Sequence, residues 1–174
     1  MITPPTLTTH MKTLRLSGIL DSLDVRLEQA RSASLGYMEF LGLIIQDEVE
    51  RREANKLNQR LKRAAFEEPK AMEDFDFASL PGINIAAIKD LATVLFVTRK
   101  EHVLLYGPPG VGKTHLAQAL GNQACRTGYS ALFIKAGKLF RGLNAARADG
   151  TWEKALRKLL APDVLIIDDS ACLP

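Results

Sequence analysis

The chain has 174 residues, with 23 Lys and Arg against 20 Asp and Glu and a formal charge of +3, so a nucleic-acid role needs local rather than global basicity. Its 47% hydrophobic fraction is ordinary for a globular protein, yet no apolar run is long enough to cross a bilayer and no basic segment leads into an apolar stretch, so neither a membrane span nor a signal peptide is expected. Two cysteines, Cys125 and Cys172, show no CxxC pairing or His partner, which argues against metal and disulfide roles and makes a reducing cytoplasm the expected location.

The length allows one typical domain, or a compact domain with a helical appendage. Residues from Thr8 to Phe66 read as helical. Leu16, Ile19, Leu20, Leu23 and Leu27 recur at three- and four-residue spacing and form one apolar stripe. Ser32-Ala-Ser-Leu-Gly36 breaks the pattern, and a longer helix follows with Phe40, Leu41, Ile44, Ile45, Val49, Leu57 and Leu61 expected on its core side. Its polar side changes sign, from Asp47, Glu48 and Glu50 to Arg51, Arg52, Lys56, Arg60, Lys62 and Arg63. Acid early and base late complements the helix dipole and suits a solvated face. So dense a basic run also suits the phosphates of double-stranded DNA, and both readings stay open.

Pro69 ends the helical region. A linker follows to Gly82, carrying Phe75, Phe77 and Pro81, and Leu80 to Arg99 reads as one further helix. The expected division is a helical module over residues 1–66, a linker over 67–82 and an α/β core over 83–174.

Gly107-Pro-Pro-Gly-Val-Gly-Lys-Thr114 is a complete GxxxxGK[ST] phosphate-binding loop. His102 to Tyr106 before it reads as a short buried strand and Thr114 to Leu120 after it as a helix, which is the context the motif requires. Gly107, Gly110 and Gly112 allow backbone conformations that a side chain would block, so the loop N–H groups point at phosphate oxygens, aided by the positive end of the helix. Lys113 then reaches the β- and γ-phosphates, and the Thr114 hydroxyl is placed to ligate Mg²⁺. Ser130 to Ile134 reads as a second strand. Gly137 to Ala148 and Thr151 to Leu160 read as helices parted by Asp149-Gly150, with Leu139, Phe140, Leu143, Trp152, Leu156, Leu159 and Leu160 as their buried faces. Asp163-Val-Leu-Ile-Ile-Asp168-Asp169 is an apolar run ending in two acids. It suits a parallel strand buried on both faces, with Asp168 as a Walker-B ligand to Mg²⁺ and Asp169 polarising the attacking water. Strand and helix alternate, so the predicted class is α/β with a mostly parallel sheet.

Taken together, Asp47 to Arg52, Arg60 to Phe66, Glu73 to Phe77, the loop with His115 and Leu116, Ala124 to Tyr129 and Ile166 to Asp169 resemble the IstB-like ATP-binding proteins. These are transposition helpers of insertion sequences and AAA+ ATPases akin to the DnaA and DnaC type. The resemblance implies an ATPase that assembles on double-stranded DNA as a homo-oligomer and directs a partner transposase. By position it implies ATP held by Gly107, Pro108, Pro109, Gly110, Val111, Gly112, Lys113, Thr114 and His115, Mg²⁺ on Thr114 and Asp168, and catalysis by Asp169 and Lys113. A P-loop AAA+ sheet of this type also has a fourth strand, sensor residues, an arginine finger and a lid, none of which precedes Pro174. The expectation is therefore a C-terminally truncated form with little or no hydrolysis. A DnaC-type helicase loader and a non-catalytic fragment that regulates a full-length ATPase are the alternative expectations.

Overall fold

A computed structural model of the chain describes residues 5–68, 70–74 and 84–169. The expectations placed on Pro69, Phe75, Phe77, Pro81, Gly82 and Cys172 lie outside these residues. The chain divides into two compact units, residues 1–58 and 59–174.

The first unit is helical: α1 (Pro5–Thr13), α2 (Ser17–Ser32) and most of α3 (Tyr37–Ala64). The helical stretch expected from Thr8 is broken at Leu14–Leu16, where Arg15 takes φ +56°. Ile19 and Leu23 of α2 bury against Ile44 of α3, with Met11, Leu16, Leu27 and Phe40 closing the cluster. The contact is close because residue 18 is glycine: a Cβ there would lie 2.7 Å from both Asp47 O and Glu48 Cα. Leu16, at the N-cap of α2, has no side chain able to cap. The cap comes instead from the buried Glu48 on α3, which accepts from Gly18 N at 2.7 Å and Ile19 N at 3.3 Å. Arg52 closes on the other carboxylate oxygen at 2.6 Å. Glu48 is thus a structural group and no part of a solvated acidic face.

The expected core side of α3 needs correction. Ile44 is buried and Leu57 and Leu61 are half-buried, but Leu41, Ile45 and Val49 are exposed. Leu41 and Ile45 each sit one residue, about 100°, further round the helix than Phe40 and Ile44, and only the Phe40–Ile44 stripe meets α2.

The second unit begins with the last turns of α3. A 3₁₀ turn (Met72–Asp74) follows, then α4 (Ile85–Ala92), α5 (Leu95–Thr98), α6 (Lys113–Arg126), β1 (Ala131–Lys135), α7 (Ala136–Ala148), α8 (Trp152–Leu160) and β2 (Val164–Asp168). β1 and β2 pair in parallel with Ala131 opposite Val164 and Lys135 opposite Asp168. The α7–α8 crossover that joins them is the connection parallel strands require. Ile88, Leu116 and Leu120 form a buried cluster, with Met72, Leu91 and Leu105 packed on it. This is an α/β P-loop arrangement, with a small parallel sheet and a helical region ahead of it.

Four expectations for this unit differ from the structure. The single helix to Arg99 is split: Asn84 caps α4 by accepting from Ala87 N at 3.1 Å, and buried Val94 sits in the left-handed region at φ +62° between α4 and α5. Residues 102–106 carry no strand. Leu105 packs on the core while Leu104 and Tyr106 are exposed, and among the described residues no neighbouring strand offers the ladder that would define one. Nor is β2 buried on both faces; Ile167 is 52% exposed. On α7 and α8 only Leu139 of the expected apolar set is fully buried, and Phe140, Trp152, Leu156 and Leu160 are exposed.

Candidate functional site

The loop between Tyr106 and α6 is shaped by three glycines at positive φ: Gly107 at +151°, Gly110 at +82° and Gly112 at +79°. Gly112 is the left-handed N-cap of α6 and contributes no side-chain cap, so the helix's first N–H groups are not claimed by a capping side chain. Pro108 and Pro109 are exposed and Val111 is half-buried. Lys113 is drawn back over the loop, donating from Nζ to Gly107 O at 2.9 Å and Pro108 O at 2.6 Å. Its ammonium therefore lies over the loop that would cradle phosphate.

Thr114, the next residue, faces the end of β2. Its Oγ1 donates to Asp168 Oδ1 at 2.9 Å across 54 residues of sequence. The structure thus joins the two residues expected to hold Mg²⁺. Both donors are oxygens, one hydroxyl and one carboxylate, as a small hard cation that keeps several waters prefers. Asp169 follows directly and is exposed at the same edge of the sheet. His115 is half-buried, and the Glu68 carboxyl is held below its ordinary range, chiefly by its hydrogen bond to Lys70. No group of three or more His, Cys, Asp or Glu side chains forms a metal cluster among the described residues.

Behind the site runs a segment that sequence reasoning treated only as the end of a helix and a linker. Arg60 Nε donates to Cys125 O at 2.9 Å, and Phe66 and Ile166 pack on Gly121, where a Cβ would come within 2.8 Å and 2.5 Å of them. Buried Gln118 accepts from Glu67 N at 3.0 Å and Glu68 N at 3.3 Å, and Asn122 donates to Lys70 O at 2.9 Å. Lys135 Nζ meets Glu67 Oε1 at 2.8 Å. One signal for this strap was present in the sequence: Thr114, Gln118 and Asn122 recur every fourth residue and so form a polar row on one face of α6.

The basic run on α3 is partly committed to internal contacts. Arg51 pairs with Asp21 at 3.1 Å, Arg52 with Glu48 at 2.6 Å, and Arg60 with the Cys125 carbonyl. Lys56, Lys62 and Arg63 are exposed. No helix among the described residues is long and apolar enough to cross a membrane.

Residues 9–174 match the family described as IstB-like ATP binding protein. The chain is 44% identical over 170 residues to a protein of Mycobacterium tuberculosis named as an ATP-binding protein in an insertion sequence, covering 98% of this chain and 68% of that one. It is 40% identical over 168 residues to a protein named for ATP binding in insertion sequence IS21 of Pseudomonas aeruginosa, covering 97% of this chain and 62% of that one. It is 37% identical over 146 residues to the similarly named protein of insertion sequence IS5376 from Geobacillus stearothermophilus, covering 84% of this chain and 58% of that one. The chain thus spans roughly three fifths to two thirds of these relatives' lengths. The loop, the acid that meets it and a match running from the first helix to Pro174 agree, and the chain belongs to the IstB-like ATP-binding proteins.

Proposed function

We propose that this chain binds ATP with Mg²⁺ and serves, as part of an insertion sequence's machinery, as the ATP-binding helper of a transposase. The observation that carries the nucleotide reading is the 2.9 Å contact between Thr114 and Asp168, two residues from distant motifs that in this reading share the metal. In this reading the N–H groups of Gly107, Gly110, Val111 and Gly112 and those at the start of α6 hold phosphate oxygens, and Lys113 leaves the Gly107 and Pro108 carbonyls for the β- and γ-phosphates. Thr114 and Asp168 hold the Mg²⁺. Asp169, exposed beside them, orients the attacking water and takes its proton. Bound Mg²⁺ supplies charge neutralisation across the phosphates.

DNA and the transposase are the proposed partners. Exposed Lys56, Lys62 and Arg63 are the side chains best placed for duplex phosphates, because Arg51, Arg52 and Arg60 already have partners. A thermal melt with and without saturating Mg-ATP tests the nucleotide reading. Ligand at about 100 times its dissociation constant adds roughly 2.7 kcal/mol to a binder, and Lys113→Ala is expected to lose the shift. A melt of the wild-type chain that ATP leaves unmoved would refute the reading. A salt-sensitive gel shift weakened by the triple Lys56, Lys62 and Arg63 to Gln replacement tests the DNA contact.

A further inference from the structure

Lys135 stands between two carboxylates. Its ammonium meets Glu67 Oε1 at 2.8 Å, and it lies directly opposite Asp168 in the parallel register, at the C-terminal edge of the sheet. Neighbouring strands are about 4.8 Å apart, so a flexible lysine there can reach either acid. Both negative charges favour its protonated form, Glu67 more strongly than Asp168. Glu67 in turn is fixed by its own backbone, since its N–H donates to the buried Gln118 of α6.

We infer that Glu67 is a positioning residue for the metal site, a counter-ion that holds Lys135 away from Asp168. A cation on Asp168 competes with Mg²⁺ for the same carboxylate. While Glu67, Glu68 and Lys70 are held by Gln118 and Asn122 of α6, Lys135 is engaged by Glu67 and competes less with Mg²⁺ for Asp168. When Glu67 is withdrawn or neutralised, Lys135 turns to Asp168 and Mg²⁺ is bound less well. The segment that follows α3 thereby sets the metal affinity of the nucleotide site without touching nucleotide. The inference rests on the proposed Mg-ATP reading.

The test is a Mg²⁺ titration of the binding of a fluorescent ATP analogue to the full chain at low ionic strength, where an exposed ion pair is least screened. Glu67→Gln is expected to raise the half-saturating Mg²⁺ concentration about three- to fivefold, the scale of such a pair. Lys135→Met is expected to leave it unchanged or lower it. The double variant is expected to follow Lys135→Met, because without the lysine the loss of Glu67 has nothing to release, and Lys135→Arg is expected to keep the sensitivity to Glu67→Gln. If Glu67→Gln and Lys135→Met weaken binding alike, the pair merely fastens the strap and the inference is wrong. Normal wild-type binding with an unaltered Glu67→Gln curve also overturns it, leaving the nucleotide reading intact. A wild-type chain that shows no Mg²⁺-dependent binding overturns both.

Discussion

Thr114 Oγ1 and Asp168 Oδ1 lie 2.9 Å apart, so the first turn of α6 and the last residue of β2 are held together by the groups that would share a metal ion. Thr114→Val keeps the shape and removes the hydroxyl. We expect it to cost about 0.5–1.5 kcal/mol of stability, the net value of an ordinary hydrogen bond, and to abolish the Mg²⁺ dependence of ATP binding. Paired melts with and without Mg-ATP would check both effects. A variant that binds Mg-ATP as the wild type does would remove Thr114 from the metal site.

Gly121 offers a packing test with an internal control. A Cβ there would stand 2.5 Å from Ile166 Cδ1 and 2.8 Å from Phe66 Cε1. Gly121→Ala is therefore expected to destabilise by about 1–3 kcal/mol through overpacking. Gly142, inside α7, has nothing within 4 Å of the equivalent position. Gly142→Ala should stabilise by roughly 0.5–1 kcal/mol through helix propensity. Denaturant midpoints for the two variants should move in opposite directions.

The Glu48 cap predicts a large loss from a small change. Glu48→Ala leaves Gly18 N–H, Ile19 N–H and Arg52 without their shared acceptor, at about 1–3 kcal/mol for an unsatisfied buried group. Glu48→Gln retains an acceptor oxygen and should cost less. Equal melting points for the two variants would show that the carboxylate oxygens do not cap α2.

Acid should loosen the first unit in a defined window. The Arg26 hydrogen bonds, with help from Ser22, hold the Asp47 carboxyl down at about 2 against an ordinary 3.8. Burial pushes Glu48 up, but Arg52 and the Ile19 and Gly18 amides outweigh it and the net shift is downward. The folded form binds these protons less readily than the unfolded chain does. The stabilisation is thus complete above the unfolded values and is lost as pH falls through 3.8 toward 2. Melts across this range should show a steeper acid loss for the wild type than for Asp47→Asn.

Much of the site was legible from local spacing. The loop from Gly107 to Thr114 is a fixed string whose residue types answer to phosphate geometry, and Asp168 ends an apolar run that is a strand in the structure. What escaped depended on partners distant in sequence. Residues 102–106 have the composition of a strand, but a strand exists only where a ladder forms. Leu41 and Ile45 have the same apolar character as Phe40 and Ile44, and only the docking of α2 shows which pair is covered. Glu67 and Lys135 obey no spacing rule, because the fold alone makes them neighbours.

The arrangement of Glu48 and α2 has a kinetic side. Because the groups that satisfy the first amides of α2 sit 30 residues downstream, this helix cannot complete its own start by local closure, and its first turn must wait for α3. Protection of the Gly18 and Ile19 amides from hydrogen exchange should therefore appear together with protection of the Ile44 region, as one cooperative event. The beginning of α2 is thus a clock for the assembly of the whole helical unit, where a locally capped helix would report only its own fraying.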